Sequence, residues 1–255
     1  MSFFDDLIDV GSNALGWLGG KSIGSQLART AITGYALSKL YRALNKDEAD
    51  PKNNQGTRQQ LQANPSNSIP VVYGTAWTGG IITDAELTNS NGTMYFCLTI
   101  CEKTGNTNLG AGAASAITFG EIYWNDMRLI FASDGKTVTS SVDREGNICD
   151  SPNSKMQIWL FNNGSTNPVA PKNSTATMTE NAYDVFPNWT SNHAMTNLAF
   201  AIVRLDYDPE ADVTSLGDFK FEVINSMSLA GDCLYDYMTN TRYGASINST
   251  NIYMS

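Results

Sequence analysis

Apolar and polar positions change rhythm twice along this chain. Over residues 1–45 the apolar side chains recur at helical spacing. Phe3, Phe4, Leu7 and Ile8 form a first face, then Ile23, Leu27, Ala31, Tyr35, Leu37, Leu40, Tyr41 and Leu44 a second. Gln26, Arg29, Lys39 and Arg42 fall mostly off that face, so the pattern predicts a helical N-terminal arm, broken at Gly11, Gly16 and Gly19–Gly20. Residues 46–68 are polar, with Leu61 the only large apolar side chain, which is linker composition.

From Ile69 the period shortens to that of strands. Ile69, Val71 and Tyr73 alternate with Pro70, Val72 and Gly74, and the proline stands near the strand start, where a missing N–H costs least. Gly79–Gly80 is a turn signal before Ile81–Ile82, as in a hairpin. Met94–Cys101 is strongly apolar, preceded by a turn at Asn89–Gly92 and followed by a Gly-rich loop. Ile117–Trp124 alternates, Asn125–Asp126 turns, and Met127–Phe131 returns. Residues 138–185 read as an insertion into this sheet, with Met156–Phe161 its best strand. Asn197–Tyr207 carries the longest apolar run of the β region and suits a strand buried on both faces; Phe219–Ile224 alternates again. Leu229, Cys233, Leu234, Tyr237 and Met238 then predict one face of a short helix, ended by Gly244. The expectation is a mainly β protein: arm 1–45, linker 46–68, β domain 69–225 and a short helix with a C-terminal segment over 226–255.

Charge narrows the partners. The 255 residues carry a net charge of −9, with only 16% charged side chains. Gripping a phosphate backbone needs clustered Lys and Arg, so specific nucleic-acid binding is disfavoured, although DNA could pass such a surface without sticking. Phe3-Phe4-Asp5-Asp6 lacks the basic start of a secretory signal, and no apolar run reaches the roughly 20 residues of a membrane helix, so no membrane insertion is predicted. Of the four cysteines, Cys97 and Cys101 have the same parity and are expected on one face of a strand, too far apart to bridge. Cys149 and Cys233 stand alone, and free thiols fit assembly in a reducing cytoplasm.

Three stretches in order carry a family resemblance. They are Ile69-Pro-Val-Val-Tyr-Gly74 with Gly79-Gly-Ile-Ile82; Cys101-Glu102 with Gly120-Glu-Ile-Tyr-Trp-Asn-Asp126; and Asn225–Gly244, with Leu234-Tyr-Asp-Tyr237 and Arg242-Tyr-Gly244. Together they resemble the tail-tip hub proteins of tailed bacteriophages, a family that includes the tail tip attachment proteins of lambdoid phages and the large hub of gene transfer agents. The resemblance spans roughly residues 64–247. It implies a structural virion protein at the tail tip, or baseplate hub, with hub-type barrel domains, assembled in the host bacterial cytoplasm. It implies a homotrimer that closes the tail tube. Implied neighbours are the distal tail or tail tube protein, the tape measure protein and further hub or receptor-binding proteins. On this reading Met1–Leu44 is expected to pack mainly against other subunits, and Asp84, Glu86, Asp143 and Glu145 are candidates to line a channel for DNA. Hub chains normally continue past Arg-Tyr-Gly, so the expectation is a domain completed by another protein or by a longer product.

Catalytic constellations are missing from the sequence. His193 is the sole histidine and has no nucleophile elbow nearby. Asp206, Asp208, Glu210 and Asp212 alternate as calcium ligands can, but Ala211 stands where the loop needs glycine and Gly217 where it needs glutamate. Gly110–Ala114 lacks the Gly-Lys-Ser/Thr of a P-loop. No catalytic residue, cofactor or metal ligand is therefore expected, and the chain is not read as an enzyme. The alternative is a carbohydrate-binding or wall-degrading tail protein, with Trp77, Trp124, Trp159 and Trp189 as a sugar platform. Clustered, exposed rings would favour it; buried or subunit-facing rings would favour the hub.

Overall fold

The computed structural model describes residues 67–105, 116–172 and 174–252. The expected arm over 1–45 and nearly all of the linker over 46–68 lie outside the described residues. Within them the protein is mainly β. A single ten-stranded antiparallel sheet curls into a half-barrel, with few helices. Its strands are β1 (Thr75–Thr78), β2 (Ile81–Thr88), β3 (Thr93–Glu102), β4 (Ile117–Trp124), β5 (Met127–Phe131), β6 (Thr137–Val142), β7 (Ile148–Cys149), β8 (Met156–Phe161), β9 (Leu198–Asp206) and β10 (Phe219–Asn225). The order across the sheet is β1-β10-β4-β5-β6-β8-β9-β3-β2, with β7 paired to β6. Helix α1 (Ala182–Val185) is a single turn; helix α2 (Ala230–Thr239) follows the last strand.

The segment expected as an insertion contributes β6, β7 and β8 to this same sheet, and β8 pairs along its whole length with β9. Residues 162–172 and 174–197 then fold back over one face. They bring Met178, Ala182 and Phe186 onto Cys97, Trp159, Phe161, Phe200 and Ile202, with Phe161 and Phe200 stacked at 4.7 Å. The other face holds the larger core, including Leu98, Ile100, Trp124, Ile158, Leu160, Ala201, Val203, Phe219 and Phe221. Strands β3, β8 and β9 thus bury both faces, which is why they read as continuous apolar runs. Strand β10 buries one face only and keeps its alternation.

Three local expectations are corrected. First, Ile69–Tyr73 is not a regular strand. It is an extended segment joined to the sheet by a single parallel bridge, Val71 to Glu102. Second, Gly79–Gly80 does not close a hairpin. β1 pairs with β10 and β2 with β3, so the chain steps from one edge of the sheet to the other across two glycines. Gly80 has φ +73°, and a Cβ there would crowd the Thr99 carbonyl oxygen at 3.3 Å. Third, Cys97 and Cys101 do not share a face. The pairing of β3 with β9 shifts register between Thr99 and Cys101, and this bulge reverses the parity. Cys97 joins the core under Met178, Ala182 and Phe186, whereas Cys101 joins the larger one. Both are free, and burial pushes each thiol up to about 12.

A bulge also explains one motif glycine. Gly120 and Glu121 on β4 stand opposite Glu222, where the β10 register shifts. The Glu222 carboxylate lies over Gly120 and accepts the Glu121 N–H at 2.9 Å. A Cβ at position 120 would overlap that carboxylate, but the glutamate can swing outward. Gly120→Ala is therefore expected to cost only the hydrogen bond, about 1 kcal/mol in urea unfolding. A loss of several kcal/mol would show that the backbone, not the side chain, has to move.

Candidate functional site

The three motif-bearing stretches meet at one corner of the sheet. Gly74 N–H donates to the Met227 carbonyl at 2.8 Å, and Asn225 N–H donates to the Gly74 carbonyl at 2.7 Å. Asn225, itself buried, donates through Nδ2 to the Val72 carbonyl at 2.6 Å and to Thr104 Oγ1, and accepts the Met227 N–H at 2.9 Å. One asparagine thereby fixes the extended segment, the end of β3 and the exit of β10. Glu102 N–H closes the same junction on the Pro70 carbonyl at 2.8 Å.

Helix α2 is locked to this corner by a carboxylate. Asp236 is fully buried, and its Oδ2 accepts Tyr73 Oη–H at 2.7 Å and Tyr243 Oη–H at 2.6 Å. The three side chains come from Ile69–Gly74, from Leu234–Tyr237 and from Arg242–Gly244. The other Asp236 oxygen, Oδ1, is buried and has no hydrogen-bond partner. Beside the lock, Arg242 Nε stands 2.8 Å from the buried Glu102 Oε2. That contact is Coulombic: Oε2 receives no formed hydrogen bond.

The lock sets which side of the helix is buried. Periodicity placed Leu229, Cys233, Leu234, Tyr237 and Met238 on one face of a short helix, and of these Cys233 and Met238 are half-buried. Asp236 is the residue α2 buries, while Leu229, Leu234 and Tyr237 are exposed. A carboxylate with two phenol donors outweighs the apolar pattern in setting the rotation of a ten-residue helix.

Burial raises the pKa of both phenols, and the Asp236 carboxylate raises it further. A phenol whose folded pKa lies above its unfolded value of about 10 contributes stability that is complete below pH 10 and is lost as pH climbs through the folded value. Tyr73 and Tyr243 are expected to resist ionisation until the fold gives way. An ultraviolet phenolate titration of wild type against Tyr73→Phe/Tyr243→Phe checks this. Identical titration curves, normalised per tyrosine, would refute it.

The other candidates are dispersed. Trp124 is buried and donates Nε1–H to the Leu216 carbonyl at 2.7 Å. Trp159 is buried beneath Lys136, whose Nζ is 5.5 Å from the ring centre. Trp77 meets Tyr123 edge-on at 5.4 Å, and Trp189 stacks on His193 at 5.3 Å while donating to Asp84 Oδ2 at 2.8 Å. The four rings do not form one exposed platform. His193 lies exposed in a turn, its Nδ1 accepting the Thr190 N–H at 3.0 Å.

The four acidic candidates are not brought together either. Asp84 and Glu86 lie on edge strand β2, engaged by Trp189 and Asn188. Asp143 and Glu145 lie on the β6–β7 turn, with β8, β9 and β3 between the two pairs. Asn147 holds the Asp143 carboxyl below the usual range. Asp206 is taken by Arg204 and Thr93, and Asp208 by Lys155, so this run forms ion pairs and a turn. No group of three or more His, Cys, Asp or Glu side chains that could hold a metal ion occurs among the described residues. A shallow groove of about 320 Å³ is lined by Ile69–Val72 and Ala76–Thr78, none of them ionisable.

No protein-family model matches the chain, and no curated protein matches it significantly.

The Asp236 lock was missed from sequence because helical periodicity assigns a lone Asp to solvent. Its signal was a pair of tyrosines, Tyr73 and Tyr243, each next to a glycine in separate motifs.

Proposed function

We propose that this chain is a structural subunit of a tail-tip, or baseplate, hub in a phage-type virion. It helps close the tail tube and connects it to receptor-binding components for DNA delivery. The observation that carries this reading is the convergence of the three motif stretches on one corner. Motifs 69–82, 101–126 and 225–244 are distant in sequence, yet Tyr73 pairs with Asp236 and Glu102 with Arg242 across them, while Tyr243 joins Asp236 from within the third. This junction is built of hydrogen-bonded and ion-paired anchors, not of a nucleophile and base. The hub-type identity of the β domain, its homotrimeric assembly and its tape-measure and tail-tube neighbours belong to the same proposal. So does a DNA passage lined without specific binding, to which the net charge of −9 per copy contributes repulsion.

The sugar-platform alternative draws no support from the dispersed tryptophans. The test is a density map of purified particles from the source host, together with cell-wall lysis by the isolated chain. Several copies arranged around the tail axis, with no lysis, are expected. Absence of the chain from particles, or lysis abolished by a single carboxylate substitution, would overturn the proposal.

A further inference from the structure

We propose that Thr137 and Gln157 form an ester cross-link between β6 and β8, with loss of ammonia. The two residues stand directly opposite each other in the β6–β8 ladder, and Arg204 stands opposite Gln157 on β9. With Asp134, in the turn before β6, they make one line of contacts. Thr137 Oγ1–H donates to Asp134 Oδ2 at 2.6 Å. Gln157 Nε2–H donates to Thr137 Oγ1 at 3.2 Å, and Arg204 Nη1–H donates to Gln157 Oε1 at 3.2 Å. A guanidinium has no acceptor, so the amide atom facing it is the oxygen, and the nitrogen is the atom beside the hydroxyl.

Each member fits a role in acyl transfer. Thr137 is a hydroxyl nucleophile with a base in hydrogen-bond reach. Asp134 Oδ1 accepts the N–H groups of Lys136 at 3.0 Å and Thr137 at 2.9 Å, which fixes the carboxylate and leaves Oδ2 for the hydroxyl. Arg204 Nη2 is held by Asp206 at 3.0 Å, so Nη1 stays aimed at the amide oxygen, where negative charge develops. Gln157 Cδ lies one bond beyond Nε2, and a tilt of the carboxamide with Oε1 kept on Arg204 turns Cδ toward Oγ1. The hydroxyl proton then passes to Asp134 Oδ2 as Oγ1 bonds to Cδ. The Cδ–Nε2 bond breaks, Nε2 takes that proton from Asp134, and ammonia leaves. The step is an exchange of amide for ester and needs no oxidant, reductant or cofactor.

The position gives the bond a mechanical use. Among the described residues, β8 and β9 share six registered pairs, whereas β6 and β8 share two, Thr137 with Gln157 and Val138 with Met156. β4 and β5 also share two, but the Asn125–Asp126 turn ties them directly. The β6–β8 ladder is therefore where β1-β10-β4-β5-β6 can part from β8-β9-β3-β2. A covalent bond at that ladder holds the halves together whatever happens to its few hydrogen bonds. The inference does not depend on the hub reading.

The experiment is mass spectrometry of the full-length protein, as purified and after prolonged incubation at neutral pH, before and after trypsin. Wild type is expected to weigh one ammonia less than its sequence, and the tryptic peptides 137–144 and 156–172 to run as one joined species. Mild alkali should separate them, leaving a carboxylate on the Gln157 side chain, because an ester yields to it and an amide does not. Thr137→Val is expected to abolish the joined species and Thr137→Ser to retain it. Asp134→Asn should slow its formation about a hundredfold, the usual share of a general base. A wild-type mass equal to the sequence overturns the proposal. So does an ammonia loss carried by a single peptide, as cyclisation at Asn91–Gly92 or Asn163–Gly164 would give, or a joined species that survives Thr137→Val. Formation in Asp134→Asn at the wild-type rate overturns the assigned mechanism. The joined peptides are read in wild type itself, so a variant that fails to fold leaves the test standing.

Discussion

Tyr73→Phe/Tyr243→Phe is expected to destabilise the fold by about 3 kcal/mol, whereas Asp236→Asn costs about 1 kcal/mol or less. The ordering runs against intuition, because the double change removes two hydroxyls from partly exposed rings and the single change removes a charge. The difference lies in what is left behind. Without the phenols, Asp236 remains buried with one oxygen stripped of both donors and the other already unpartnered. An uncompensated buried charge costs about 3–5 kcal/mol, here discounted because the half-buried rings let water approach. In Asp236→Asn the amide oxygen can still accept both O–H groups, and the charge that burial penalises is gone. Urea unfolding with a shared slope measures both. If the asparagine variant proves the less stable of the two, the carboxylate is not what the tyrosines hold.

How much of this was legible in sequence varies with the range of the cause. Strands β3 and β9 are buried on both faces, and their unbroken apolar runs state as much. The β4–β5 hairpin was equally plain: Asn125 and Asp126 take φ of 48° and 64°, the left-handed pair that a two-residue loop needs. The alternation of β10 also survives intact. What failed depended on distant partners. Nothing between Thr78 and Ile81 reveals that β1 and β2 belong to opposite edges, because their partners β10 and β3 are set by the whole sheet. The side occupied by Cys101 depends on a bulge against β9, which local parity cannot register. The rotation of α2 depends on Tyr73, 163 residues from Asp236. Periodicity counts apolar side chains and cannot weigh one carboxylate whose donors lie elsewhere in the chain. The candidate site was therefore visible as motifs and invisible as contacts. Arg242 and Glu102 illustrate this, since each belongs to one of the three motif stretches and neither had an evident partner until the corner was assembled.

Gly244→Ala is expected to be the most damaging single methyl group in the C-terminal segment, at about 3 kcal/mol. The backbone conformation of Gly244 is not the obstacle; space is. The chain doubles back across the end of α2, and Gly244 presses against the helix's last carbonyls. A Cβ there would overlap the Tyr237 carbonyl oxygen and sit 2.8 Å from that of Asn240. Both are backbone atoms, so no side chain can swing aside. Moving the turn endangers three hydrogen bonds that cap the helix: Ala245 N–H to the Tyr237 carbonyl at 2.9 Å, Ile247 N–H to Met238 at 2.8 Å and Ser246 N–H to Asn240 at 3.2 Å. At about 1 kcal/mol each they account for the expected loss, before any displacement of Tyr243 from Asp236 or of Arg242 from Glu102. At Gly231, in the first turn of the same helix, an added methyl group would meet nothing within 4 Å. Gly231→Ala should therefore gain up to about 1 kcal/mol from helix propensity. Hydrogen exchange of the α2 amides is the sharper measurement. Gly244→Ala should open α2 while leaving β3 and β9 protected, because the helix hangs on its lock and its cap and not on the sheet core. Uniform loss of protection across the sheet would mean that the corner and the core unfold as one, and that α2 has no separate stability to lose.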